Sequence, residues 1–162
     1  MSHRIAARIP RTVPAPSIER DAAIVSSFLS DAGHVPGGFA SGVSFPRDEA
    51  EVAALVREAD RVLSIGAQSS LTGGATPRGE IVLSTRMLMS IGEPSGHEVR
   101  VGAGVSLAVL QLTLAASGLF YPPVPTFDGA FVGGTISTNA AGAATFKYGS
   151  TRKWVAAITV VL

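Results

Sequence analysis

The sequence predicts a mixed α and β fold, on three observations. Some segments space their apolar residues at helical intervals, whereas others are short apolar runs of the kind found in buried strands. Two glycine-rich stretches separate these segments. The 162 residues, 46% hydrophobic and 15% charged, are enough to bury a core of their own, and with no Cys that core needs no disulfides.

Residues 1–17 carry Arg4, Arg8 and Arg11 without an acid, and Pro10, Pro14 and Pro16 break any helix, so they read as a mobile leader; an organelle-targeting peptide is the other reading. Ile18 to Ala32 sets Ile24, Val25, Phe28 and Leu29 at helical spacing and stops at Gly33, which makes 18–44 an N-terminal helical segment. Residues 47–61 form an amphipathic helix on Val52, Ala53, Leu55, Val56 and Ala59, with Asp48 and Glu51 as its capping pair. Arg61 to Ile65 and Ile81 to Ser84 are short buried strands on either side of a Gly/Ser/Thr loop. Glu98 to Val101 begins another strand, and Ser106 to Ser117 is an apolar helix closed by Gly118. Trp154 to Leu162 reads as a final strand with no turn signal after it, so the chain reads as cut short.

Composition excludes several functions. A net charge of +1 offers no broad basic field for nucleic acid. Without Cys there is no thiol catalysis, and His3, His34 and His97 are too scattered for a metal cluster, so no metal site is assigned. No apolar run reaches the roughly 18–20 residues of a membrane span. The compartment stays open, with the cytoplasm as the default and peripheral membrane association as the alternative. Charge is also unevenly placed: from Val101 to Phe146 the one charged side chain is Asp128. Such a stretch implies burial against a large ligand or against protein outside this chain.

The loop Ser64 to Pro77 (SIGAQSSLTGGATP) combines Gly66, Gly73 and Gly74 with the hydroxyls of Ser69, Ser70 and Thr72. Glycines let successive amides form a concave nest that holds a phosphate without lysine. The Gly-Lys-Ser/Thr of a Walker loop is absent, and an ordinary glycine-rich turn is the competing reading. Thr126 to Gly142 (TFDGAFVGGTISTNAAG) has the same character, with Thr126, Thr135, Ser137, Thr138 and Asn139 as neutral hydrogen-bonding groups. Two such loops about 60 residues apart suit a long flat ligand with a diphosphate at one end and a heteroaromatic ring at the other, which describes a flavin dinucleotide.

Three other patterns are set aside. Gly102-Ala103-Gly104 has Leu107 where a Rossmann fingerprint needs its third glycine and no acid about 20 residues on, so it is a tight strand-to-helix turn. Ser150 to Lys153 matches Ser-x-x-Lys without the partner motifs and is read as a surface turn. His34 and His97 lie beside glycines without a carboxylate partner and are read as solvated loop residues.

Seven markers in order, FPRDEAEVAALV (45–56), SIGAQSSLTGGATP (64–77), EVRVGAGVSLAVL (98–110), YPPVPT (121–126), FVGGTISTNAAG (131–142), KYGSTRKWV (147–155) and ITVVL (158–162), resemble the FAD-binding domain of the vanillyl-alcohol oxidase/p-cresol methylhydroxylase family. They look closest to the branch of D-lactate dehydrogenases and glycolate oxidase D-type subunits. The resemblance implies an α+β domain over 45–162 with two lobes. A small parallel sheet with helices would occupy about 45–95, and an incomplete antiparallel sheet about 98–162, with FAD between them. It implies that Ile65, Gly66, Ala67, Gln68, Ser69, Ser70 and Leu71 wrap the pyrophosphate, with Thr72 and Gly73 following in the same loop. On the flavin and ribityl side it places Thr126, Gly133, Gly134, Thr138, Asn139, Ala140 and Ala141, followed by Gly142. Tyr148 joins this set as a group that stacks on or hydrogen-bonds the cofactor; a tyrosine closing a buried turn is the other reading.

Departures from the family pattern carry their own expectations. Some relatives bind flavin covalently through a His in the first loop; Gln68 stands here, which predicts non-covalent FAD. Ser64-Ile65 replaces a common Pro-Arg and leaves the diphosphate to amides. Pro122-Pro123-Val124-Pro125 lacks the usual acid. The family's substrate domain and its catalytic groups would lie beyond Leu162, so no catalytic residue is assigned. The expected partners are FAD, a C-terminal substrate domain or partner subunit, and a small-molecule substrate. The reading is the FAD-binding portion of an oxidoreductase for a 2-hydroxy acid such as D-lactate or glycolate, expected to be inactive without a substrate domain. The alternatives are a non-catalytic FAD-binding subunit or remnant, or a flavin oxidase for an alcohol, sugar lactone or alkyl phosphate.

Overall fold

Four short strands form one mixed sheet: β1 (Ile18–Glu19), β2 (Gly42–Ser44), β3 (Val62–Ile65) and β4 (Ile81–Ser84), side by side in the order β1-β2-β4-β3. The computed structural model describes residues 5–123 and 126–162; residues 1–4 of the leader, and Val124 and Pro125 of the YPPVPT marker, lie outside the described residues. β4 runs parallel to both neighbours, with Val82 opposite Val43 on one side and Leu63 on the other, while β1 pairs antiparallel with β2. Parallel strands need a crossover, and α2 (Glu49–Glu58) provides it between β2 and β3. Val43, Ile65 and Val82 are fully buried and pack with Phe28 into the first hydrophobic cluster.

The α2 helix forms as its sequence predicts. Asp48 accepts a hydrogen bond from the Glu51 amide (2.9 Å), and the Glu51 carboxylate accepts one from the Arg47 amide (2.8 Å), so the reciprocal bond lands one residue before the cap. Ala50, Ala53, Ala54 and Leu55 face the core. Arg11 reaches Asp48 at 2.6 Å and Arg8 pairs with Glu49, exposed contacts worth less than about 1 kcal/mol each. Asp48→Ala is expected to cost about 1 kcal/mol in urea unfolding at neutral pH. The Glu51 amide, and after it Arg11, hold the Asp48 carboxyl below its ordinary 3.8. Because the folded value is depressed, the contribution is present above 3.8 and fades as pH falls through the lower folded value. The gap between wild type and variant should therefore close in acid.

The 18–44 segment corrects the sequence reading. Its helix is only α1 (Ala22–Ser26), capped by Asp21, whereas Ile18 and Glu19 pair with Ser44 and Val43. Long-range pairing overrides the local apolar spacing, and β1 and β2 hydrogen-bond within the same sheet as β3 and β4.

The second cluster gathers Val105, Leu107, Leu110, Leu114, Ala130 and Val132 around α3 (Leu107–Ala115) and α4 (Val132–Ser137). Ser106 caps α3 through the Val109 amide at 3.2 Å, and Gly118 follows it at φ +68°. The stretch Thr126 to Gly142, expected as a loop, contains α4 even though Gly133 and Gly134 disfavour a helix. A Cβ on Gly133 would lie 2.7 Å from that of Ala103, so this packing requires the glycine. Further on come α5 (Thr145–Tyr148) and a 3₁₀ turn at Thr151–Trp154.

Two expected strands are absent among the described residues. Glu98–Val101 contributes only the isolated antiparallel bridges Ser95 to Glu98 and Ile91 to Val101, and a third joins Ser106 to Phe131; these bridges stand in place of the incomplete antiparallel sheet. Trp154 to Leu162 begins in the 3₁₀ turn and continues without regular structure, since no described strand lies beside it to form a ladder. The overall class is nevertheless α+β as predicted.

Gly102-Ala103-Gly104 fastens the two halves together. Gly102 N donates to Ser90 O (2.7 Å), Gly104 N to Leu88 O (3.0 Å), and Gly133 N to Ala103 O (2.9 Å). The motif is a turn that leads into α3, as expected, but no strand directly precedes it, and its glycines serve close packing.

Candidate functional site

The loop after β3 leaves the sheet at Ile65, which is fully buried, and turns outward at Gly66. Gly66 is where the two glycine-rich stretches meet: a Cβ there would lie 3.7 Å from Phe131 Cβ and 4.0 Å from Gly134 Cα. Residues far apart in sequence thus form one junction at the floor of an open groove of about 2890 Å³. That volume far exceeds the roughly 300–1,000 Å³ of an enclosed small-molecule pocket, so the groove is an open face rather than a closed cavity.

Gly66 through Thr72 line one wall, and Gly133, Gly134, Thr138, Ala140 and Ala141 line the other, with Thr126 and Tyr148 at its margin. Four expected residues do not line the groove: Ile65 lies in the core, Gly73 packs against Val35 at φ +75°, and Asn139 and Gly142 serve neighbouring turns. Asn139 accepts a hydrogen bond from the Arg152 amide (2.9 Å), and Gly142 N donates to Thr145 Oγ1 (2.7 Å).

Among the described residues, the amides of Gly66, Ala67, Gln68, Ser69, Ser70 and Leu71 have no protein acceptor. Six consecutive unmet donors beside a wall without charged side chains can bind an anionic ligand through backbone dipoles. On the facing helix, a Cβ at Gly134 would meet nothing within 4 Å, so its face is open to the groove. These features fit a dinucleotide with a flat ring. They also locate part of the uncharged Val101–Phe146 stretch: Ala103 and Phe131 line the groove, whereas Leu112, 75% exposed on α3, faces outward.

The far wall is fixed by groups that the sequence pattern did not single out. Gln111 clasps the Tyr121 backbone, accepting from its amide at 3.0 Å and donating to its carbonyl at 2.5 Å. Thr151 is fully buried and donates both its amide (3.2 Å) and its hydroxyl (2.9 Å) to Ala140 O. Burial pushes the Tyr121 phenol up from its ordinary value, and a hydrogen bond with Thr151 acts in the opposite direction. Tyr148 stands between Phe120 (6.1 Å) and Trp154 (6.5 Å) in edge-on contacts, and its carbonyl accepts from the Trp154 indole at 3.1 Å. It therefore closes a turn while also lining the groove.

Asp31 also escaped the sequence reading. It is 3% exposed and accepts hydrogen bonds from the amides of Gly33 (3.0 Å) and Ala75 (3.5 Å), tying the end of the N-terminal segment to the first glycine loop. The Asp-Ala-Gly sequence following a helix was the available signal for such a turn.

The fold is shared with alkyldihydroxyacetonephosphate synthase, which superposes with a TM-score of 0.63 at 20% identity over 68% of this chain and 23% of that one. Residues 40–162 match the model of the FAD binding domain family, and the chain belongs to that family. It is 37% identical over 123 residues to a D-lactate dehydrogenase of Archaeoglobus fulgidus, a match covering 72% of this chain and 28% of the relative. Against a D-2-hydroxyglutarate dehydrogenase of Xanthomonas citri pv. viticola it is 35% identical over 127 residues, covering 74% and 27% respectively. The chain thus spans about a quarter of the length of these relatives. No helix of the described residues is long and apolar enough to cross a membrane.

Proposed function

We propose that this chain is the FAD-binding portion of an oxidoreductase that oxidises a 2-hydroxy acid of the D-lactate or glycolate class, with FAD held non-covalently. The observation that carries the reading is the junction of the unmet Gly66–Leu71 amides with the open Gly134 face, 4.0 Å from a Gly66 Cβ. The relatives named for D-lactate and D-2-hydroxyglutarate support the substrate class, because both are 2-hydroxy acids.

In this reading the Gly66–Leu71 amides hold the diphosphate, and Gly133, Gly134, Thr138, Ala140 and Ala141 border the ring and ribityl chain. Bound FAD would supply the two-electron acceptor for a hydride from the substrate carbon. The residues on this chain bind and orient the cofactor, and none of them is assigned to the substrate. Gln68 offers no ring nitrogen for a covalent bond, and its side-chain amide is engaged with Ser27 O and Ser30 O. This supports non-covalent attachment.

The test is a titration of the purified chain with FAD, followed by visible absorption and flavin fluorescence. Saturable binding is expected, and flavin should leave the polypeptide on a denaturing gel. Absence of binding would refute the cofactor assignment, and flavin that stays with the denatured band would refute non-covalent attachment.

A further inference from the structure

We propose that Gln68 is a positioning residue for the diphosphate half of the cofactor, acting by fastening the first glycine loop to the Ser27–Gly33 turn. The proposal rests on the FAD-binding reading above. Among the described residues, Gln68 is one of three non-glycine residues at positive φ (+56°), a conformation that is unfavourable for a side chain without local compensation. The compensation is visible in its side chain: Nε2 donates to Ser27 O at 3.0 Å and to Ser30 O at 2.7 Å, where the backbone leaves the end of α1. Both side-chain donors therefore point away from the groove and into the protein.

Backbone bonds continue the same seam. Ala32 N donates to Gln68 O (2.9 Å), and Gly33 N donates to Ser70 O (3.1 Å). In a planar trans peptide the C=O of one residue and the N–H of the next point in opposite directions. Holding the carbonyls of Gln68 and Ser70 against the turn consequently turns the amides of Ser69 and Leu71 the other way, and both of these residues line the groove. The turn can approach closely only because residue 33 is glycine: a Cβ there would lie 2.7 Å from Leu71 O. Asp31 secures the turn from below through the Gly33 and Ala75 amides.

The outward aim of the loop is thus set by residues 27–33, which precede the family-matched span 40–162. Gln68 is the loop side chain through which that support acts. Removing its donors should loosen the amide array without altering the ring side of the groove, where Gly133 and Gly134 lie on α4.

The experiment compares Gln68→Met, which keeps the shape and removes the donors, with Gln68→Gly, which removes the donors and relieves the positive φ. FAD, ADP and riboflavin are titrated against wild type and both variants, and the melting temperature of the unliganded protein is recorded for each. Both variants should bind FAD and ADP about tenfold more weakly while riboflavin binding stays within about twofold of wild type. The result in Gln68→Gly is the more telling, since a residue that mattered only for backbone strain would be improved by glycine. Unchanged ADP binding in both variants, or an equal loss of ADP and riboflavin binding, would overturn the proposal. Wild type that binds neither FAD nor ADP would instead overturn the FAD reading beneath it, so the two failures are distinguishable.

Discussion

Gly104→Ala is expected to lower the melting temperature by about 6–12 °C, the loss of roughly 3 kcal/mol in a domain of this size. A Cβ at this position would lie 2.0 Å from Thr85 O, 2.9 Å from Thr85 C and 3.1 Å from Arg86 C, all of them backbone atoms. No rotamer change relieves such an overlap. The backbone must move instead, and that movement would strain the 3.0 Å bond from Gly104 N to Leu88 O that joins the two hydrophobic clusters' supporting segments. Gly92→Ala is the matched control, because its Cβ would meet Arg100 atoms at an ordinary 3.6 Å. A thermal melt of both proteins decides the matter, and equal melting temperatures would refute the packing argument.

Gly134→Leu is expected to separate stability from cofactor binding. A Cβ at Gly134 would meet nothing within 4 Å, and replacing glycine inside a helix gains up to about 1 kcal/mol from propensity alone. The unliganded variant should therefore melt at or above the wild-type temperature. Its side chain would project into the groove where the ring is proposed to lie, so FAD affinity should fall by about a hundredfold or more, equivalent to about 2.7 kcal/mol. Binding and stability then move in opposite directions, an outcome that general damage to the fold does not produce. FAD binding at wild-type strength would remove the ring from this wall.

The parts of the fold legible in the sequence were those determined by neighbouring residues. Asp48, Glu51 and the apolar face from Ala50 to Leu55 define α2 locally, and the runs VLSI and IVLS define β3 and β4. The three-residue strand β2 has too little pattern to detect; it exists because Val43 finds Val82 across the sheet. Ile18 and Glu19 read as helical for the converse reason, since their partner strand lies more than twenty residues away and leaves no local trace. At Trp154–Leu162 the apolar residues suggested a strand, but a strand also requires a partner.

The site divides along the same line. Glycines and hydroxyls at 66–73 and 126–142 are visible in composition, whereas the contact between Gly66 and Gly134 depends on tertiary packing. Helix α4 was hidden by its own two glycines, one of which packs against Ala103 while the other opens toward the groove. In the sequence Gln68 stands out only as a departure from histidine. Its role as a fastener emerges only from the carbonyls of Ser27 and Ser30 that receive its amide.

The strand order has a consequence for biosynthesis. β4 is the last of the four strands in the chain but occupies an interior position, bordered by β2 and β3, which do not pair with each other. While the protein is being made, the sheet lacks its middle until Ser84 has emerged from the ribosome. Its earlier strands can gain their parallel partners only after some forty residues separating β2 from β4 have been synthesised. The first glycine loop lies between β3 and β4, so the nascent chain acquires the anchor at both ends of that loop at the same moment that it completes the sheet.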